Sequence, residues 1–136
     1  MDAPDGWRPH DRSSPLTEPW EPLFARDQPR ALQLGLRVRR AHCNSRGLAH
    51  GGLIAALADN AMGLSAAVVA RAEGIEVRAP VTVSLALDYI DAAREGDWLE
   101  VRPQVLKVGR TLGFVECHVC SGDRLLARGS ATFRIG

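Results

Sequence analysis

The chain has 136 residues, 46% hydrophobic and 24% charged, usage that fits one globular domain around one core and leaves little room for two. Seventeen Lys and Arg oppose sixteen Asp and Glu, a net charge of +1, so no strongly basic face is advertised for nucleic acid or anionic lipid. The opening Met-Asp-Ala-Pro-Asp-Gly offers no basic and apolar leader, so the expected compartment is the cytoplasm, with Cys43, Cys117 and Cys120 as reduced thiols.

Residues 1–30 carry Pro4, Pro9, Pro15, Pro19, Pro22 and Pro29, a density that interrupts helices and central strands. This segment reads as a Pro-rich N-terminal arm, mobile and dispensable over 1–18, with one short helical turn expected where Trp20, Leu23 and Phe24 share a face. The domain proper is expected over 31–136. From Leu32 the pattern alternates, with Leu32, Leu34, Leu36 and Val38 on one side, and predicts a half-buried strand.

A polar turn, Asn44-Ser45-Arg46-Gly47, precedes His50-Gly51-Gly52 and a long Ala- and Leu-rich run to Ala70. The run predicts a helix stopped at Arg71-Ala72-Glu73-Gly74, and it is apolar almost all round. Asp59 and Asn60 near its middle disfavour a membrane span, so a central helix wrapped by a sheet is expected. Residues 77–90 alternate again, Val81, Val83, Leu85, Leu87 and Tyr89 against Thr82, Ser84, Ala86 and Asp88. Strands follow at 98–108, where Pro103 implies an edge or bulge, then at 111–120 and 125–135, joined by tight turns; Gly129 marks a bulge or a close approach. Short connections disfavour parallel βαβ units, so the fold class is α+β, one helix on a curled antiparallel sheet.

On a helical wheel Gly52, Ala56, Asp59 and Gly63 share one narrow side. Asp59 therefore projects from a stripe of very small residues. Either it is hydrogen-bonded inside a core or interface, or it sits in a tight, poorly hydrated space where an ionised carboxylate is a better base or nucleophile than in bulk water. Gly51 and Gly52 at the helix start either permit a tight turn or leave N–H groups bare for a developing oxyanion. His50 reads as a cap or loop brace before a general base, and Asn44 as a turn former or as an amide aimed at water or a carbonyl. Gly63-Leu-Ser65-Ala-Ala is not a nucleophile elbow, Cys117-His-Val-Cys120 on a strand points its sulfurs to opposite faces and predicts no metal site, and no nucleotide fingerprint is present.

Asn44-x-x-Gly47-x-x-His50-Gly51-Gly52, with Asp59 on the ensuing helix, resembles the active-site segment of hotdog-fold acyl-CoA thioesterases of the phenylacetate-degradation type. Tyr89-Ile-Asp-Ala-Ala-Arg-Glu-Gly96-Asp97 and Lys107-Val-Gly109-Arg110-Thr111 look like that family's later strand-turn elements, so the likeness spans roughly residues 30–136. The resemblance implies a long central helix wrapped by about five strands, and hydrolysis of an acyl- or aryl-CoA to the carboxylate and CoA with no metal or redox cofactor. It implies Asp59 as nucleophile or general base, with the Gly51 N–H as donor to the thioester oxygen and Gly52 beside it. Asn44 would orient water or thioester, His50 would hold the loop, and Thr82 would help position the water. Lys107, Arg110 and Arg128 are candidates for CoA phosphates, and equally for solvated strand-end residues. Homodimers or homotetramers follow from the resemblance, with Asp59 facing Asn44 and His50 of a neighbouring subunit. Leu48-Ala49 departs from the family's usual hydroxyl residue and aliphatic, which bears on substrate shape. The second expectation is a non-catalytic acyl-CoA-binding regulator; a hydratase of the same fold is disfavoured.

Overall fold

A computed structural model describes residues 2–136. Helix α1 runs Gly51–Ala72. Its start is closed by His50, whose Nδ1 accepts the Gly52 N–H at 2.8 Å. At its end Gly74 takes φ +74°, and the Gly74 and Ile75 N–H groups return to Arg71 and Ala70 at 3.1 and 2.8 Å, the glycine-terminated stop expected at 71–74.

The strands are β1 (Arg8–Pro9), β2 (Phe24–Gln28), β3 (Ala31–Arg37), β4 (Val81–Tyr89), β5 (Trp98–Val108), β6 (Leu112–Ser121) and β7 (Arg124–Arg134). They form one antiparallel sheet in the order β1-β2-β3-β5-β6-β7-β4, curled about α1. Seven strands replace the expected five or so, and β1 and β2 come from the Pro-rich segment. Its prolines interrupt helix, as expected, but they flank β2 and end β1, where pairing tolerates them. The short turn is a 3₁₀ helix at Glu18–Trp20, earlier than expected, because Phe24 is already in β2. Pro103 lies past Val101, where the β3 ladder ends, and so meets the open side of β5.

Leu34 and Leu36 of β3, Leu57, Ala61 and Met62 of α1, Leu99 and Val101 of β5, and Phe133 of β7 make the centre of the core. The sheet covers the apolar faces of α1, and the one polar side chain fully buried in the helix is satisfied. Ser65 Oγ accepts the Leu32 N–H at 3.0 Å and donates to the Leu32 carbonyl at 3.2 Å. At Gly63 the helix lets the Phe133 ring in, since a Cβ there would lie 3.2 Å from it. That close packing accounts for one member of the small-residue stripe. Gly129 likewise admits Cys117 Sγ and the Ala86 carbonyl, each 3.2 Å from where its Cβ would be.

Residues 2–18 do not stand free of the body; they are laid against it. Trp7 meets Trp98 edge-on at 5.1 Å, the Arg26 guanidinium covers the Trp7 ring at 4.7 Å, and Arg8 grips both oxygens of Asp27 at 2.9 and 3.1 Å. Arg26 and Arg102 also meet Glu100, a carboxylate that is nearly fully buried and takes the Trp98 indole N–H as well.

Candidate active site

Strand β4 places the second half of the site through an irregularity. Thr82 faces Phe133 in the β7 register and Ser84 faces Thr132, so Val83 is an extra residue bulged out of the ladder. Strict alternation would set Thr82 with Ser84 and Asp88, away from Leu85, Leu87 and Tyr89. The bulge reverses that parity. Thr82 turns to α1, where its Oγ1 donates to Asp59 Oδ1 at 2.6 Å, while Leu85 lines the same cavity and the Tyr89 hydroxyl donates to the Gly51 carbonyl at 2.6 Å.

Asp59 is half-buried on the wall of a cavity of about 660 Å³, with Ala55, Ala56, Asn60 and Leu64 of α1 and Thr82 and Leu85 of β4. The far wall is the N-terminal segment: His10, Arg12, Ser13, Ser14, Leu16 and Thr17. Nothing in the sequence pointed to these residues, because the resemblance begins near residue 30 and Pro-rich composition carries no information about what a segment covers.

The loop before α1 is built by its own polar groups. Asn44 Oδ1 accepts the N–H groups of Arg46 and Leu48 at 2.9 and 3.2 Å, the turn-forming use. The loop rests on His42, which the sequence reading did not single out. Its Nδ1 accepts the Arg39 N–H at 3.0 Å, its Nε2 donates to the Trp20 carbonyl at 2.8 Å, and its own carbonyl takes the His50 N–H at 2.8 Å. Burial pushes the His42 imidazole below its ordinary value, against the opposing effect of the Trp20 bond. His50 is exposed and spends Nδ1 on the helix cap, so loop bracing falls to His42 and capping to His50. With the Gly52 N–H taken by that cap, the Gly51 N–H is left without a partner at the start of α1, as is that of Leu53, among the described residues.

Asn44 lies on neither this cavity nor its neighbour, a space of about 460 Å³ at the start of α1 lined by His42, Cys43, His50, Gly52, Leu53 and Ala56 among others. Gly51 and Asp59 are separated by eight residues of helix, about 12 Å at 1.5 Å per residue. Within one chain the structure therefore brings Asp59 and Thr82 together, leaves His50 and Gly51 at the other end of that stretch of helix, and turns Asn44 back on its own loop. Lys107 is exposed on β5, Arg110 borders a cavity with Glu73 and Arg78, and Arg128 pairs with Asp88 at 3.1 Å on the outer face; none lines the Asp59 cavity. Cys117 belongs to the core and Cys120 sits opposite Glu100, and no group of three His, Cys, Asp or Glu side chains gathers as a metal site among the described residues.

The thioesterase superfamily profile matches residues 46–128, which include the helix with Asp59 and the strand with Thr82. A Pseudomonas aeruginosa protein described as a candidate esterase is 43% identical over 99% of this chain and 98% of its own length. Human acyl-coenzyme A thioesterase 13 is 31% identical over 74% of this chain and 70% of its own. Among solved structures, a variant of the phenylacetic acid degradation protein of Thermus thermophilus superposes with a TM-score of 0.75 at 26% identity, covering 89% of this chain and 98% of that one. A helix wrapped by this sheet, a profile over more than half the chain and a relative matched nearly end to end agree: the chain belongs to the thioesterase superfamily, with the hotdog fold, and is a thioester hydrolase.

Proposed function

We propose that the chain hydrolyses the thioester of an acyl-coenzyme A, releasing the carboxylate and free CoA, at a site shared between two copies of the chain. The observation that carries this reading is the Thr82 hydroxyl seated on Asp59 at 2.6 Å in the wall of an open cavity. A carboxylate that braces a core is enclosed by its partners. Asp59 keeps Oδ2 without a donor among the described residues and faces space large enough for an acyl group. The human relative's name supports a CoA ester, and the Thermus relative's name supports aryl-acetyl groups within the substrate panel.

Thioester hydrolysis needs a base or nucleophile, and a donor for the oxygen that becomes negative. Asp59 serves as the first. It takes a proton from water as the water oxygen bonds to the carbonyl carbon, or its own oxygen bonds there and the resulting anhydride is hydrolysed. On either route the C–S bond breaks and the CoA sulfur leaves and is protonated. The Gly51 N–H, at the positive end of the α1 dipole, serves as the second. About 12 Å of helix keeps the two from acting on one carbonyl within a chain. The reading therefore sets Asp59 and Thr82 of one copy against Gly51, Asn44 and His50 of another.

The two ends of the sheet support that arrangement. One is β1, two residues long; the other is β4, nine residues long, with Val81, Val83, Leu85 and Tyr89 exposed. A long apolar free edge is covered in stable proteins, and a second β4 is the covering this reading takes. A homodimer is thus proposed, with a homotetramer as a dimer of dimers. Lys107 and Arg110, both exposed and without an ion-pair partner among the described residues, are readier for a CoA phosphate than Arg128, which must first release Asp88. Three free thiols fit a reducing compartment such as the cytoplasm.

Release of CoA thiol from aryl- and straight-chain acyl-CoAs tests the reading, with Asp59→Asn beside the wild type. Loss of about 10²–10⁴-fold in kcat with the oligomer intact is expected. Saturable CoA-ester binding without turnover in either protein would replace the enzyme with an acyl-CoA-binding regulator. Trapping with hydroxylamine separates the routes, because only direct attack forms an anhydride that it can intercept, and where water opens that anhydride at the Asp59 carbonyl a single turnover in heavy-oxygen water leaves the label on Asp59 and an Asp59 oxygen in the first product.

A further inference from the structure

We infer that the N-terminal segment is the specificity wall of this site and that Leu16 is its specificity-determining residue; the inference rests on the acyl-CoA thioesterase reading above. Leu16 and Ala56 are the two side chains that line both the cavity beside Asp59 and the smaller cavity at the start of α1. They are the partition between the two spaces. Ala56 is small and fixed on the helix, so the size of the residue at position 16 decides how far the spaces communicate.

Leu16 is also presented firmly. Ser14 Oγ and Thr17 Oγ1 lie 3.0 Å apart, the Thr17 and Glu18 N–H groups return to the Ser14 carbonyl at 3.1 and 2.9 Å, and Thr17 is buried. Upstream, the His10 N–H is bonded to the Leu23 carbonyl at 2.9 Å, and the His10 side chain is only 3% exposed. Between these two anchors Leu16 remains 64% exposed. Its side chain is therefore nearly dispensable to the fold while standing across the cavity from the carboxylate that meets the thioester. An acyl chain entering past Asp59 runs into Leu16, and its methylenes are buried only as far as this side chain allows. Each additional buried methylene is worth about fourfold in kcat/KM.

The test is a ladder of straight-chain acyl-CoAs from acetyl to palmitoyl, with wild type, Leu16→Ala and Leu16→Trp. Both kcat/KM and the calorimetric Kd are read for each ester. Leu16→Ala joins the cavities, and the ratio of kcat/KM for lauroyl-CoA over butanoyl-CoA is expected to rise by about tenfold; Leu16→Trp lowers it by a similar factor. Unchanged melting temperatures confirm that the variants fold. Identical ratios in all three proteins, with turnover intact, overturn the role of Leu16 and leave the thioesterase standing. If the wild type binds the ladder and cleaves none of it, the hydrolytic reading fails, and the Kd ladder decides Leu16 by the same shift or its absence. Failure to bind any ester overturns both.

Discussion

Thr82 fixes which oxygen of Asp59 is left without a donor, and on the proposed reaction that is the oxygen that acts. Its hydroxyl donates to Oδ1 at 2.6 Å, so the carboxylate cannot rotate without losing a charge-assisted bond. Thr82→Ala is expected to lower kcat about ten- to a hundredfold with KM nearly unchanged, and Thr82→Ser to restore most of the loss, read by steady-state CoA release. His42 controls a different quantity. It is neutral in the fold, accepting at Nδ1 and donating at Nε2, and burial holds its imidazole below the unfolded value of 6.5. Below that pH the unfolded chain takes up the proton first, so the stability His42 contributes is complete above it and is lost as pH falls towards the folded value. His10, also lowered by burial, adds to the same slope. Urea midpoints should drop between about pH 7.5 and about pH 5, and His42→Gln should flatten the drop. Asp59 was legible as a lone charge on a stripe of small residues. His42 was not, because a histidine outside any pattern shows its partners only once the chain is folded.

At the scale of elements, α1 was readable almost to the residue: its composition, its glycine stop and its capping histidine all act locally. Strand β4 was readable as a strand but not as this strand. No Gly or Pro marks Val83 as the extra residue, and the parity of Thr82 depends on pairing with β7, which lies 40 and more residues away. Strand β2 was missed because its five residues, set among the six between Pro22 and Pro29, are too few to establish a period. The N-terminal segment was misread as free because its hold on the body is a long-range aromatic and ionic cluster, Trp7 with Trp98 and Arg26. Trp7→Ala is expected to cost roughly 1–3 kcal/mol in urea denaturation. It should also loosen the wall that carries Leu16, so KM for long acyl-CoAs rises more than KM for short ones.

For the whole molecule, the free edge and the chemistry are one question. Val83 is 61% exposed on β4, and a lysine on a strand edge discourages strand-to-strand addition. Light scattering is expected to find the wild type as a dimer or larger and Val83→Lys as a monomer, and on the proposed shared site CoA release should fall with dissociation, because Asp59 then lacks the second chain's Gly51. A monomeric wild type that still turns over would remove the shared site. The thiols should stay silent throughout: burial pushes Cys117 up to about 11 and raises Cys43 and Cys120 as well, so alkylation of the native protein near neutral pH should be slow until urea unfolds it. The bulge at Val83 has a colloidal consequence too. An extra residue bends the strand and interrupts its ladder, so the edge admits a partner carrying the same bend and repels a straight one. Deleting Val83 would leave Thr82 facing Asp59, since the remaining ladder already alternates across that point, but it would straighten the eight remaining, mostly exposed residues into a template for indiscriminate stacking. Concentrated solutions of the Val83 deletion are therefore expected to form fibrils sooner than the wild type, read by thioflavin fluorescence and light scattering.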